Sequence, residues 1–142
     1  MTETRKSKAS IAERSFAGAG VAGLGAASAA VWYFDPTKAS FFPMCPLFAA
    51  TGFACPGCGL TRGFHALFHG DVLTALDFNA MLPLFAALVG FFVISLLLIA
   101  IRGRGLRVDL LTPKLLWGSF SLLIVFALVR NIPVYPLTIL YP

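Results

Sequence analysis

Apolar positions gather into three long runs, and the charged positions fall mainly before the first run and between the second and third. The first run, Ser15 to Phe34, is 20 residues long and carries no charge. As a helix it rises about 30 Å, the depth of a bilayer's hydrocarbon core. Gly18, Gly20, Ala22, Gly23, Ala26, Ala27 and Ala30 give it repeated small-xxx-small spacings, which let a second helix approach closely in lipid. Ala80 to Ile101 is a second uncharged run of 22 residues, with Pro83 in the first turn, where a missing amide donor is tolerated. The third run opens with Thr112 as N-cap and Pro113 at the first helical position and ends at Val129. Its 17 residues reach about 26 Å, near the lower limit for a crossing, so Arg130 and Asn131 are expected to anchor its end among the headgroups. Pro133, Pro136 and Pro142 oppose a regular helix in the tail, which is expected to lie along the interface.

Composition agrees with this pattern. The chain is 58% hydrophobic and only 12% charged, against roughly a quarter charged in soluble domains. Its 142 residues accommodate one membrane domain and no separate soluble domain of ordinary size. The net charge of +5 does not indicate nucleic-acid binding, because eight of the eleven basic residues lie in two clusters beside the runs. Arg5, Lys6, Lys8 and Arg14 precede the first run, and Arg102, Arg104, Arg107 and Lys114 separate the second from the third. The intervening loop 35–79 has only Lys38 and Arg62, and the tail only Arg130. Basic residues favour the cytoplasmic side, so the N-terminus is expected in the cytoplasm and loop 35–79 outside the bacterial inner membrane. A competing reading takes the basic lead and Ala27-Ser28-Ala29 as a cleavable secretory signal, against which the glycines of the apolar core argue.

All three cysteines fall in that loop, after a turn-rich crossing from Asp35-Pro36 to Pro43. Cys45, Cys55 and Cys58 are followed by His65 and His69. In Cys55-Pro56-Gly57-Cys58-Gly59, Pro56 presets a turn, Gly57 tolerates positive φ, and Gly59 lets the chain bend so that amides face a thiolate. Two thiolates at this spacing supply half of a tetrahedral zinc site; Cys45 and His65 or His69 would complete it. From Leu60 to His69 the pattern predicts a short helix with Leu60, Phe64, Leu67 and Phe68 on one stripe and Thr61, Arg62, His65 and His69 beside it. Gly70 is expected to stop that helix and Asp71 to cap a second, ending at Phe78. Arg62 and the histidines are expected to face the cysteine turn, and the amino end of the helix to lower a thiol pKa. Plainer roles are cysteines as small apolar fillers, Arg62 as an interfacial anchor and solvated histidines.

The cysteine segment also resembles a known family. Pro43-Met44-Cys45-Pro46, Thr51-Gly52, Cys55-Pro56-Gly57-Cys58-Gly59, Thr61-Arg62, His65, Gly70-Asp71 and Asn79 are similar to the pattern of the bacterial membrane family called domain of unknown function 2752. The resemblance covers about residues 43–83 and implies a small multi-span membrane protein, without implying an activity. It departs at Asn79, which the family usually follows with proline and this chain follows with Ala80.

The expected architecture is therefore an all-α integral membrane protein: three spans, with a cysteine loop and short interfacial helices between the first and second. No Ser-His-Asp set, paired acids, phosphate-cradling loop or HExxH motif occurs, and the spans hold no charge that marks a transport path. The leading functional reading is a non-catalytic accessory or scaffold protein whose external loop is closed by a disulfide or by zinc. Its partners are the lipid bilayer and, through the small residues of the first span, other membrane helices. The alternative is a thiol-disulfide oxidoreductase using Cys55 and Cys58, against which the odd cysteine count argues.

Overall fold

The computed structural model describes residues 9–39, 42, 45–106 and 112–135. Among these there are six helices and no strand: α1 (Ile11–Tyr33), α2 (Pro46–Thr51), α3 (Leu60–Phe68), α4 (Val72–Phe78), α5 (Leu82–Arg102) and α6 (Pro113–Arg130). α1, α5 and α6, at 23, 21 and 18 residues, are long and apolar enough to cross a membrane. The three shorter helices lie between the first and second of them, so the expected all-helical architecture is the one observed. Arg5, Lys6, Lys8, Pro43, Met44, Arg107, Pro136 and Pro142 lie outside the described residues.

α1 starts at Ile11 rather than Ser15 because Ser10 and Glu13 form a capping box. The Glu13 amide donates to Ser10 Oγ at 3.2 Å, and the Ser10 amide donates to Glu13 Oε2 at 2.7 Å. These bonds satisfy helix-end amides that otherwise have no partner. Arg14 then reaches the far end of α5, donating from Nε to Ala100 O (3.0 Å) and from Nη2 to Ile101 O (2.9 Å). A cation at a helix carboxyl end satisfies open carbonyls and complements the helix dipole. The Ala9 amide adds a bond to Gly103 O at 2.9 Å, so the start of α1 sits at the end of α5.

Running antiparallel, α1 and α5 pack along their length. A Cβ on Gly20 would lie 3.3 Å from Leu96 Cδ1, which makes Gly20 the close-approach residue of this pair. Gly18, Gly23 and Gly25 face open space, so only part of the small-residue pattern is used within the chain.

Between the spans, the Leu60, Phe64 and Leu67 stripe packs onto buried Ala66, Ala75 and Leu82. Phe68, expected on the same stripe, is exposed because α3 ends there. Gly70, at φ 82°, turns the chain, and Asp71 Oδ1 accepts from the Thr74 amide at 3.1 Å to cap α4. A bond from the Thr74 hydroxyl, with that backbone contact, holds the Asp71 carboxyl below its ordinary pKa. At the loop's start, Asp35 accepts from the Thr37 hydroxyl at 2.6 Å and pairs with Lys38 at 3.3 Å. Its carboxyl is pulled down to about 2, chiefly by Thr37.

α6 is capped as its sequence implies, with the Leu115 amide donating to Thr112 Oγ1 at 3.3 Å. Its buried residues, Phe126 and Arg130, are both in its last turns. Trp117, Phe120 and Val125 are exposed, as are Phe92, Ile94 and Ile101 on α5. Apolar faces of this extent on spanning-length helices indicate contact with lipid.

Two substitutions on α1 separate its faces. Gly20→Ile should destabilise the α1–α5 pair by about 1–3 kcal/mol through overpacking against Leu96. Gly23→Ile, on the open face, should leave unfolding in detergent within about 0.5 kcal/mol of the parent. Equal losses in the two variants would show that Gly20 has no special place in the packing.

Candidate functional site

The cysteine loop is built in two pieces. Cys45 is the N-cap of α2, with Pro46 opening the helix and Gly52, at φ 73°, closing it. Residues 55–59 then form a tight turn, in which the Cys58 amide donates to Cys55 O at 3.0 Å and the Leu60 amide to Gly57 O at 3.1 Å. The left-handed residue is Gly59, at φ 85°, and not Gly57. A Cβ at Gly59 would run into Phe78 O, so this position requires glycine for both space and backbone conformation.

These two pieces bring three sulfur atoms together. Cys55 Sγ lies 3.3 Å from Cys45 Sγ and 3.4 Å from Cys58 Sγ, and all three sulfurs lie within 4.8 Å of one another. The Cys55 amide donates to Cys58 Sγ at 3.2 Å, the amide-to-sulfur contact that the turn's sequence implies. Cys58 is buried, whereas Cys45 and Cys55 are partly exposed. Burial pushes the Cys58 thiol up to about 12, with its two sulfur neighbours adding to the shift. The Cys45 thiol is pulled down to about 7, first by the Phe48 amide in the first turn of α2 and then by Cys55. The amino end of a helix thus activates Cys45 through α2, while Cys58, just before α3, shifts the other way from the sequence expectation because desolvation dominates there.

What holds the turn comes largely from distant parts of the chain. Asn79, 1% exposed, donates from Nδ2 to Pro56 O at 2.8 Å and to Cys58 O at 3.0 Å, and its Oδ1 accepts from the Met81 amide at 2.8 Å. Arg130, also 1% exposed, donates from Nη1 to Cys55 O at 3.1 Å and to Cys58 O at 3.2 Å. Its guanidinium carbon sits 5.1 Å from the centre of the Phe126 ring. Asn131 pairs with Ala54 in both directions, its Oδ1 accepting from the Ala54 amide and its Nδ2 donating to Ala54 O, each at 2.8 Å. Arg130 and Asn131 therefore dock the end of α6 onto the cysteine turn and do not serve as headgroup anchors. Nothing local in the sequence announces this contact, since 75 residues separate Arg130 from Cys55. The shortness of the third run and the Arg-Asn pair at its end were the available signal.

The other motif residues lie elsewhere. Arg62 is exposed, with its guanidinium carbon 5.7 Å from the Phe78 ring centre. Thr61 is exposed beside it. His65 Nδ1 donates to Val31 O on α1 at 2.7 Å, and His69 Nδ1 donates to His65 O at 2.8 Å. The His69 ring stacks on Trp32 at 5.9 Å, and the two histidine rings are 4.4 Å apart. Arg62 and the histidines thus face α1, α4 and solvent rather than the cysteine turn, and the sulfur cluster among the described residues consists of Cys45, Cys55 and Cys58. The polar face of α3 was legible from its spacing, but the direction in which that face points was not.

A helical membrane protein with three clustered thiols at one end of its spans is the class these features define. Residues 45–93 match the model of a family described as "Protein of unknown function (DUF2752)". This match supports the resemblance carried by the cysteine motif, and it extends from the first cysteine well into α5. No curated protein and no solved structure matches the chain.

Removing the Asn79 amide takes away the side-chain donor to Pro56 O, one of the two donors to Cys58 O and the acceptor of the Met81 amide. Asn79→Ala should therefore lower stability in detergent by about 2–4 kcal/mol, measured by chemical or thermal unfolding. A loss under 0.5 kcal/mol would show that these bonds are not what holds the turn.

Proposed function

We propose that this chain is a non-catalytic accessory or scaffold protein of the membrane, a single domain over residues 1–142 whose loop is closed by a metal ion on Cys45, Cys55 and Cys58. The observation that carries the reading is the mutual approach of three sulfurs, each near the other two. Zinc bonded to thiolates at about 2.3 Å sets tetrahedral ligands about 3.8 Å apart, about half an ångström wider than the 3.3 and 3.4 Å separations observed. One ion engages all three sulfurs, whereas a disulfide joins two and leaves the third over. Thiolate ligands select soft or borderline ions, and zinc needs no redox partner. The fourth position falls to solvent, since His65 and His69 are turned toward α1, where His65 Nδ1 is bonded to Val31 O and the His69 ring stacks on Trp32.

The charge distribution supports an N-terminus in the cytoplasm and a cysteine loop on the outer side of a bacterial inner membrane. The uncovered face of α1 at Gly18, Gly23 and Gly25 supports association with another membrane helix. Nothing in the charge pattern calls for nucleic acid.

A second reading is thiol-disulfide exchange. It is favoured by one observation, that Cys55 lies within reach of both neighbouring sulfurs, so that a disulfide at Cys55 has two alternative partners. The two readings separate in one experiment on protein purified under reducing, chelator-free conditions. The metal reading expects about one zinc per chain, lost on Cys55→Ser, and three alkylatable thiols after chelation. Absence of metal together with a mixed disulfide trapped by Cys58→Ser would overturn it in favour of exchange.

A further inference from the structure

We propose that Arg130 is the counter-charge of the metal–thiolate centre, so that loading the ion and seating the end of α6 on the loop are one coupled equilibrium; this rests on the reading of the three cysteines as a metal site. Three thiolates and one divalent ion sum to a single negative charge. Cys45 and Cys55 are partly exposed and Cys58 is buried, so it is the inner side of such a complex that gains most from an opposite charge buried beside it. Arg130 is the cation placed there, being 1% exposed and bonded through Nη1 to the carbonyls of Cys55 and Cys58, two of the three ligand residues.

Asn79 reaches Cys58 O from the other side and is neutral, so geometry and charge are divided between two residues. α6 carries its buried residues in its last turns, and there Arg130 and Asn131 bond the turn directly. Whatever stabilises the anionic centre next to Arg130 therefore also stabilises the docked position of that helix end, and by linkage docking tightens the ion.

The test uses the full chain in detergent, with zinc affinity measured by competition against a chromophoric chelator and cobalt(II) as a spectroscopic stand-in. Parent protein should show the thiolate-to-cobalt charge-transfer band. Arg130→Gln, which keeps a donor and removes the charge, should bind zinc 10–100-fold more weakly. Arg130→Lys, which keeps the charge and loses the fork, should stay within about fivefold of the parent. Equal weakening in both variants, or none in Arg130→Gln, would overturn the counter-charge role while leaving the metal site standing. In the parent chain, zinc should slow hydrogen exchange at the Ala54 amide, which is bonded to Asn131; unchanged exchange would overturn the coupling even if the variants fail to fold. A parent chain that binds neither zinc nor cobalt with all thiols reduced would remove the metal site itself, and this proposal with it.

Discussion

Carbonyl groups of a tight turn, pressed against the end of an apolar helix, must find donors or pay for their burial. In this protein the carbonyls are those of Ala54, Cys55, Pro56 and Cys58, in and just before the turn, and the donors are Asn79, Arg130 and Asn131. Ala54, Cys58, Asn79 and Arg130 are all buried, so water is largely excluded from these bonds and each is worth more than its surface counterpart. The same bonds fix the cysteine backbone, and with it two of the three sulfur positions. Without them, the loop would have no reason to keep Cys55 and Cys58 facing Cys45.

The spans are organised from their ends by two arginines with different tasks. Arg14 caps α5 from the start of α1, where the two helices meet. Arg130 acts at the opposite end, where α6 meets the turn. Between these points the α1–α5 pair uses Gly20 for close approach, while α6 exposes most of its length to lipid. The chain thus resembles a helix pair with a loop platform, to which the third span is fastened mainly by its last residues. The metal proposal follows this arrangement, because the fastened end and the sulfur cluster share the same backbone atoms.

Local chemistry was legible in the sequence, and long-range polar contact was not. Runs without charge located the three spans, Thr112-Pro113 located the start of α6, and Gly70-Asp71 located the break between α3 and α4. Each of these depends on a residue and its neighbours within a turn or two. The pairing of Arg130 with Cys55 and Cys58 depends instead on how α6 returns to the loop, which no periodicity encodes. Proximity in the chain favoured Arg62 as the cation of the cysteine turn, and that choice failed because Leu60, Phe64 and Leu67 must face the buried Ala66–Ala75–Leu82 cluster. Once that stripe is fixed, the polar face of α3 turns toward α1 and solvent. α2 was missed because six residues from Pro46 to Thr51 are too few for an amphipathic signal.

X-ray absorption at the zinc edge, on the intact chain purified without chelators, tests most directly whether this backbone clamp gathers three thiolates around one ion. The first shell should be dominated by three sulfur scatterers at about 2.3 Å, with at most one lighter atom. A shell of nitrogen and oxygen alone, or fully reduced protein that retains no zinc, would contradict the account.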